Sequence, residues 1–388
     1  MMLFLTPSIA MISGLFIAAW VALIMVLYIY LTRIQLAQIY KNFLLSERGL
    51  MLWGIFSSLW SIGSRASLAA ASKLILTIVC VHLVRSNYHL LKIPRNYLIS
   101  GIFLSFVLVI AVFLIEKHFS GCISLAIRGV FQPYKDHYFA LYWLDRGSAL
   151  LSLFSWAPIY LLLAHRKRLL ALIVYLATLS ILLTSDSDSS VLAFLLAGIV
   201  FLFSYFANAK LLLAIPVAII SYVIVMPIIA KIIDPEYISQ IWGNILPMSY
   251  IHRIFIWNFA INGAMDSLLI GKGIDASKYL ANEGATFIVF KGITMSLMPR
   301  HPHNNVIQIF LELGLVGLCL LSSYIWQIMS CFIKIHKKER IYSSILIAVF
   351  INYFVIGMIS FNLWQAWWLM VIVYLALILS FVRDEQNR

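Results

Sequence analysis

Residues 168–230 read RLLALIVYLATLSILLTSDSDSSVLAFLLAGIVFLFSYFANAKLLLAIPVAIISYVIVMPIIA. Three apolar runs, 168–184, 190–207 and 210–230, are parted only by the polar turn 185–189 and by residues 208–209. A helix needs about 20 apolar residues to cross roughly 30 Å of hydrocarbon, and each run is near that length. Inside lipid the backbone must satisfy its own hydrogen bonds, so these runs are read as membrane-spanning helices joined by tight connections.

The same pattern continues on both sides, at 8–32, 49–61, 67–85, 97–115, 147–164, 303–332, 341–360 and 363–382. The run 49–61 is short for a span, and 8–32 is long enough to be a broken pair. The expected fold class is therefore an all-α polytopic membrane protein with 11–12 transmembrane helices. Composition agrees: of 388 residues 63% are apolar and 11% charged, with a mean hydropathy of +0.97. Soluble domains run nearer 45–50% and about 25%. An ordinary cytosolic enzyme, a disordered chain and a DNA-binding factor are excluded.

Twenty-eight Lys and Arg against fifteen Asp and Glu leave a net charge of +13. Its placement explains it. The connections at 33–48, 85–95, 166–168, 210 and 334–340, with the tail 383–388, hold 16 of the 28 cations, whereas those near 62–66, 185–189 and 361–362 hold only Arg65. By the positive-inside rule the first set faces the cytoplasm. The counter-charge is then membrane lipid, and no nucleic-acid partner is expected. The first cation is Arg33, so the first run is expected to be a retained span. Cys80, Cys122, Cys319 and Cys331 form no CxxC pair, which argues against a metal site or a disulfide framework.

Two connections on the outer side are long, 116–146 and 231–302, and long loops in compact folds are commonly functional. The chain is thus divided into an N-terminal transmembrane bundle (1–230), a large outer loop with amphipathic helices (231–302) and C-terminal transmembrane helices (303–388). The stretch 237–269 carries Ile241, Trp242, Ile245, Ile251, Ile254, Phe255, Trp257 and Phe259, suited to helices that lie along the membrane surface and cover a cavity.

The densest polar cluster is Arg300-His301-Pro302-His303-Asn304-Asn305, directly before an apolar helix. Asn304 or Asn305 suits the N-cap, and the helix start offers backbone N–H groups and a positive dipole end to an anion such as phosphate. Arg300 adds a planar, permanent cation. A histidine at a helix N-terminus is pushed toward its neutral form, so His303 is a candidate general base. The alternative is that these residues only cap and anchor a span. A second cluster centres on Arg253 and Trp257, four apart and so on one helix face; an interfacial anchor is the competing reading. Asp145-Arg146 lies at the mouth of a span. Asp186 and Asp188 form a short D-x-D pattern on a tight turn, where capping is favoured over metal binding. Glu312, inside an apolar run, is costly to bury and hence a functional candidate, or the partner of a neighbouring helix. Gly314 and Gly317 are read as helix-packing positions. No HExxH, GxSxG or Walker loop is present, and no cofactor is indicated.

The stretch from Pro302-His303-Asn304 through Glu312, Gly314 and Gly317 resembles the signature of the O-antigen ligase and O-antigen polymerase superfamily: His-Asn, a short apolar stretch, an acidic residue and Gly-x-x-Gly. Arg253-x-x-x-Trp257 and the Gly271-Lys272-Gly273-Ile274 turn are similar to that family's outer loop. One departure is Asp188-Ser189-Ser190, where many members carry Ser-Arg; either Arg146 fills the role of that arginine or the role is absent. The resemblance implies a GT-C-type glycosyltransferase of the bacterial inner membrane, with its active site facing the periplasm. The implied donor is a glycan on undecaprenyl diphosphate and the implied acceptor a lipid A–core hydroxyl, in an inverting, metal-independent transfer. His303 is expected to be the base. Arg253, Arg300, Arg146, His301, Asn304 and Trp257 are expected to bind substrate. The alternatives are a polysaccharide polymerase, whose acceptor is another lipid-linked repeat, and, more distantly, a transporter or flippase.

Overall fold

The computed structural model describes residues 2–12, 14–32, 43–91, 93–131, 138–280 and 287–386. Its helices are α1 (Met2–Ile12), α2 (Gly14–Thr32), α3 (Leu45–Ser57), α4 (Ser64–Asn87), α5 (Arg95–His118), α6 (Cys122–Phe131), α7 (Tyr138–Phe154), α8 (Trp156–Ala164) and α9 (Arg168–Leu183). They continue as α10 (Asp188–Phe206), α11 (Ala214–Ile232), α12 (Pro235–Trp242), α13 (Met248–Met265), α14 (Ser277–Leu280), α15 (Asn305–His336), α16 (Arg340–Gly357) and α17 (Ala366–Gln386). The protein is a helical, multi-pass membrane protein.

Eight segments are long and apolar enough to cross a bilayer, and three shorter apolar helices, Met2–Met11, Phe16–Thr32 and Arg168–Leu183, accompany them. The run 8–32 is divided between α1 and α2. The run 147–164 contains the boundary of α7 and α8, but backbone bonds from Ser155 N–H to Leu151 O and from Ile159 N–H to Ser155 O carry the helix across it. The short run 49–61 corresponds to α3, whose 13 residues rise about 20 Å at 1.5 Å each, less than the hydrocarbon thickness.

Early and late helices interleave. α16 lies along α10, α17 packs on both α2 and α4, and α15 touches α3, α11, α13 and α16. Connections expected on the outer side meet at one end: Ser67 Oγ donates to Ile274 O, Ser360 Oγ to Ser189 Oγ, and Lys117 to Thr184 O. At the other end Arg383 binds Glu339 and Ser46 binds Gln327.

The large outer loop departs from the expectation in two ways. α12 does expose an apolar face, with Tyr237, Ile241 and Trp242 at its surface. α13 instead packs on α11 and α15 and buries Ile251 and Ile256. Further on, β1 (Phe287–Phe290) and β2 (Ile293–Ser296) form an antiparallel hairpin, a local addition to an otherwise helical fold. Its two-residue turn, Lys291 at φ 50° and Gly292 at φ 76°, has the left-handed pair that matches the twist of a hairpin.

α15 is broken. Gly314 sits at φ 67°, ψ −162°, a conformation open essentially only to glycine. A Cβ there would also clash with the Leu269 carbonyl. The break orphans Leu311 O, Glu312 O, Leu315 N–H and Val316 N–H, and the outer loop takes all four. Lys272 N–H and Gly273 N–H donate to Leu311 O (2.9 Å) and Glu312 O (2.8 Å), while Leu268 O and Leu269 O accept from Leu315 (2.9 Å) and Val316 (3.2 Å). Trp53 Nε1 adds a bond to Leu313 O at 3.0 Å. Gly314 is therefore the site of chain insertion, which corrects its reading as a helix-packing glycine, and Gly271 is required because a Cβ there would strike the Glu312 and Leu313 backbone.

Candidate active site

His303 ends the loop that leads into α15. Its backbone is left-handed, φ 53°, a strained choice for a residue with a side chain. Neighbours hold it there. Its N–H donates to His301 Nδ1 at 3.2 Å, the two rings lie 4.2 Å apart, and Trp257 Nε1 donates to the intervening Pro302 carbonyl at 3.0 Å. Asn304 supplies the cap: its side-chain oxygen accepts from Val306 N–H (3.0 Å) and Ile307 N–H (3.2 Å). Its amide donates to Tyr222 Oη at 3.0 Å.

The ring of His303 has a defined tautomer. Nδ1 lies 3.1 Å from the Ser360 carbonyl. A carbonyl only accepts, so Nδ1 carries the proton and Nε2 keeps its lone pair. Burial, and then the charge of Arg253, push this imidazole down to about 4, with His252 acting the same way and the Ser360 bond opposing. The ring is neutral at neutral pH. His301 is held well below the usual histidine range, first by burial and then by His303.

Arg253 lies on α13 beside the Tyr250 ring, 5.6 Å from its centroid. Burial pushes its guanidinium down from the ordinary range, against the pull of Tyr250, Asp145 and Asp188. It stays a cation, since arginine does not deprotonate at physiological pH. Around it runs a ring of polar groups from separate elements. Tyr250 Oη donates to Asp188 Oδ2 at 3.0 Å, Ser187 Oγ donates to Asp145, and Ser187 and Ser190 hydroxyls lie 2.9 Å apart. On the adjoining side His252 Nε2 donates to Ser296 O at 2.7 Å, tying α13 to β2.

The structure thus gathers His303, His301, Asn304, Trp257 and Arg253 at one corner, with Asp145 and Asp188 facing Arg253. Arg146 is half-buried, its guanidinium 5.4 Å from the centre of the Trp367 ring, and its charge acts on Asp145. Arg300 is exposed; its carbonyl lies 3.5 Å from Ser277 Oγ, and its side chain has no hydrogen bond or ion pair among the described residues. Two expectations change. Ser187 stands at the N-cap of α10 but makes no side-chain capping bond; it and Asp188 bond sideways to Asp145 and Tyr250. The N–H groups that start α15 are not all open to an anion, because Asn304 already occupies two.

Ser187, Ser190, Ser360, Tyr250 and Tyr222 were not readable as site residues. They are common, uncharged types scattered over some 170 positions, and only the fold brings them together. The sole signal was the polar turn at 185–189.

Residues 172–322, which include Ser187–Ser190, Arg253, His303 and Gly314, match the sequence model of the family described as O-antigen ligase. A Rickettsia typhi protein named "Putative polysaccharide ligase" is 33% identical over 408 residues, covering 98% of this chain and 96% of its own length. A Rickettsia prowazekii protein of the same name is 31% identical over 407 residues, with 98% and 96% covered. One from Rickettsia felis is 36% identical over 279 residues, with 71% and 64% covered.

Proposed function

Because the chain belongs to the O-antigen ligase family, and so is a membrane enzyme of the polysaccharide ligase type, we propose that it moves a glycan from undecaprenyl diphosphate to a hydroxyl of lipid A–core oligosaccharide at the periplasmic face of the inner membrane. The observation that carries this reading is the pairing of a tautomerically fixed His303 with the half-buried cation Arg253.

In this mechanism the acceptor hydroxyl gives its proton to His303 Nε2. Its oxygen attacks the anomeric carbon from the face opposite the diphosphate. The new C–O bond forms as the bond to the diphosphate oxygen breaks, with inversion, and the electron pair leaves on the diphosphate. Arg253 and Arg146 stabilise that charge, with Arg300 reaching in from the loop, and each such contact contributes a few kcal/mol. His301 and Trp257 hold the His303 loop, and Asn304 fixes the start of α15 beneath it. The bound diphosphate also neutralises Arg253, so it raises the basicity of His303 when a base is needed.

Deleting the gene and resolving the lipopolysaccharide by gel tests the acceptor. Loss of the ladder with glycan retained on the carrier is the expected result. A single repeat on the core identifies a polymerase instead. Near-normal transfer by His303→Ala removes the base assignment.

A further inference from the structure

Glu312 takes no part in that mechanism, yet it is fully buried and accepts hydrogen bonds from four donors. These are Asp275 N–H (2.7 Å), Ser277 N–H (3.4 Å), Gln308 Nε2 (3.1 Å) and Trp364 Nε1 (2.5 Å). Every partner is a donor, so only an acceptor on both oxygens fits. Two partners belong to the outer loop and one to the half-helix below His303. The fourth, Trp364, belongs to the connection between α16 and α17.

That connection also holds the catalytic ring. Gln308 Oε1 accepts from Leu363 N–H at 3.2 Å and Gln308 Nε2 donates to Asn362 Oδ1 at 3.0 Å. Asn362 Oδ1 accepts in turn from Trp364 N–H at 2.8 Å, and Lys73 Nζ donates to Trp364 O at 2.6 Å. At the near end of the same strap, the Ser360 carbonyl accepts from His303 Nδ1. Bonds made two helical turns into the protein thus hold the far end of the strap, and Ser360 N–H to Ile356 O and Ser360 Oγ to Ser189 Oγ hold its near end.

We propose that Glu312 is a positioning residue of the transfer reaction: by anchoring Gln308 and Trp364 it sets the 360–364 strap, and through the Ser360 carbonyl it holds His303 in the Nδ1–H tautomer. The functional weight of this rests on His303 as the base; the structural coupling does not. Glu312→Gln keeps the size but turns an amide N–H₂ toward existing donors, which pushes the strap away. Freed of its carbonyl, His303 populates the Nε2–H form, which has no lone pair facing the acceptor. A shift of about 1 Å in a reacting group costs about 10²-fold in rate.

The test uses full-length protein in lipid nanodiscs with ¹⁵N-labelled histidine, the His303 signals being identified by their loss in His303→Ala. The tautomer is read at neutral pH, and transfer kinetics are measured on the same samples. Wild type should show His303 as Nδ1–H. Glu312→Gln should raise the Nε2–H fraction and lower kcat about 100-fold, with KM within about twofold. Trp364→Phe, which removes one donor and keeps the ring, should move both in the same direction by less, and serves if Glu312→Gln does not fold. An unchanged tautomer in the folded variants overturns the proposal, whatever the rate. A shifted tautomer with an unchanged rate upholds the coupling and refutes His303 as the base.

Discussion

The two halves of α15 are built differently. From Asn305 to Leu313 every residue is buried, including Gln308 and Glu312; beyond Gly314 the helix exposes Leu315, Val316 and Trp326. The half after Gly314 is an ordinary span with an apolar face left open to lipid. The half before Gly314 is enclosed by protein, and that enclosure lets it carry polar side chains, since each finds a partner that lipid cannot provide. Burial on all sides, rather than hydrophobicity, marks the part of the helix that carries Gln308 and Glu312.

This contrast can be attacked in order of expected effect. His303→Ala should lower turnover by about 10²–10⁴-fold, the range of a lost general base, while the protein is still extracted folded from membranes. Gly314→Ala forces a side chain into a glycine-only conformation against the Leu269 carbonyl and should cost more than about 2 kcal/mol, read as a lower melting temperature and yield. Arg253→Lys keeps the charge but loses the planar fork, and about a tenfold fall in kcat/KM is expected. Against these, Trp326→Leu on the lipid-facing half should change stability by less than about 0.5 kcal/mol. An effect there as large as at Gly314 would erase the distinction.

The acid side of the pH profile sharpens it further. His303 sits near 4 in the free protein, so kcat/KM should hold as pH falls and drop only when the ring takes a proton near that value. With diphosphate bound the ring is more basic, so the acid limb of kcat should lie higher. Stability has the same sign: unfolded histidine protonates near 6.5 and the folded ring does not, so the folded state loses stability as pH falls from about 6.5 toward 4. Thermal melts across that range, compared with those of His303→Ala, isolate the contribution.

The spans were legible because lipid imposes a length and a composition that no tertiary contact overrides. The His303 corner was legible because Pro302, His303 and Asn304 are distinctive types next to one another, and Arg253 and Trp257 are related by one helical turn. Gly314 was not: a glycine in an apolar run looks the same whether it lets helices approach or admits a loop, and φ is set by what inserts. The hairpin was missed because it lies beyond 237–269, the only stretch of the loop whose apolar residues were read for an element. Glu312 was visible as an expensive acid, but its partners Asp275, Ser277 and Trp364 lie up to 52 positions away and carry no spacing rule.

The insertion at Gly314 also bears on how the chain is assembled. Residues 268–273 emerge from the ribosome before residues 311–316, so the segment that completes the break is already made when α15 arrives. Left alone in hydrocarbon, four unsatisfied backbone groups would cost several kcal/mol each, so α15 is expected to enter as a continuous helix and open only on docking. Biogenesis thus acquires an order, with the break in α15 opening only once residues 268–273 are in place to receive its freed backbone groups.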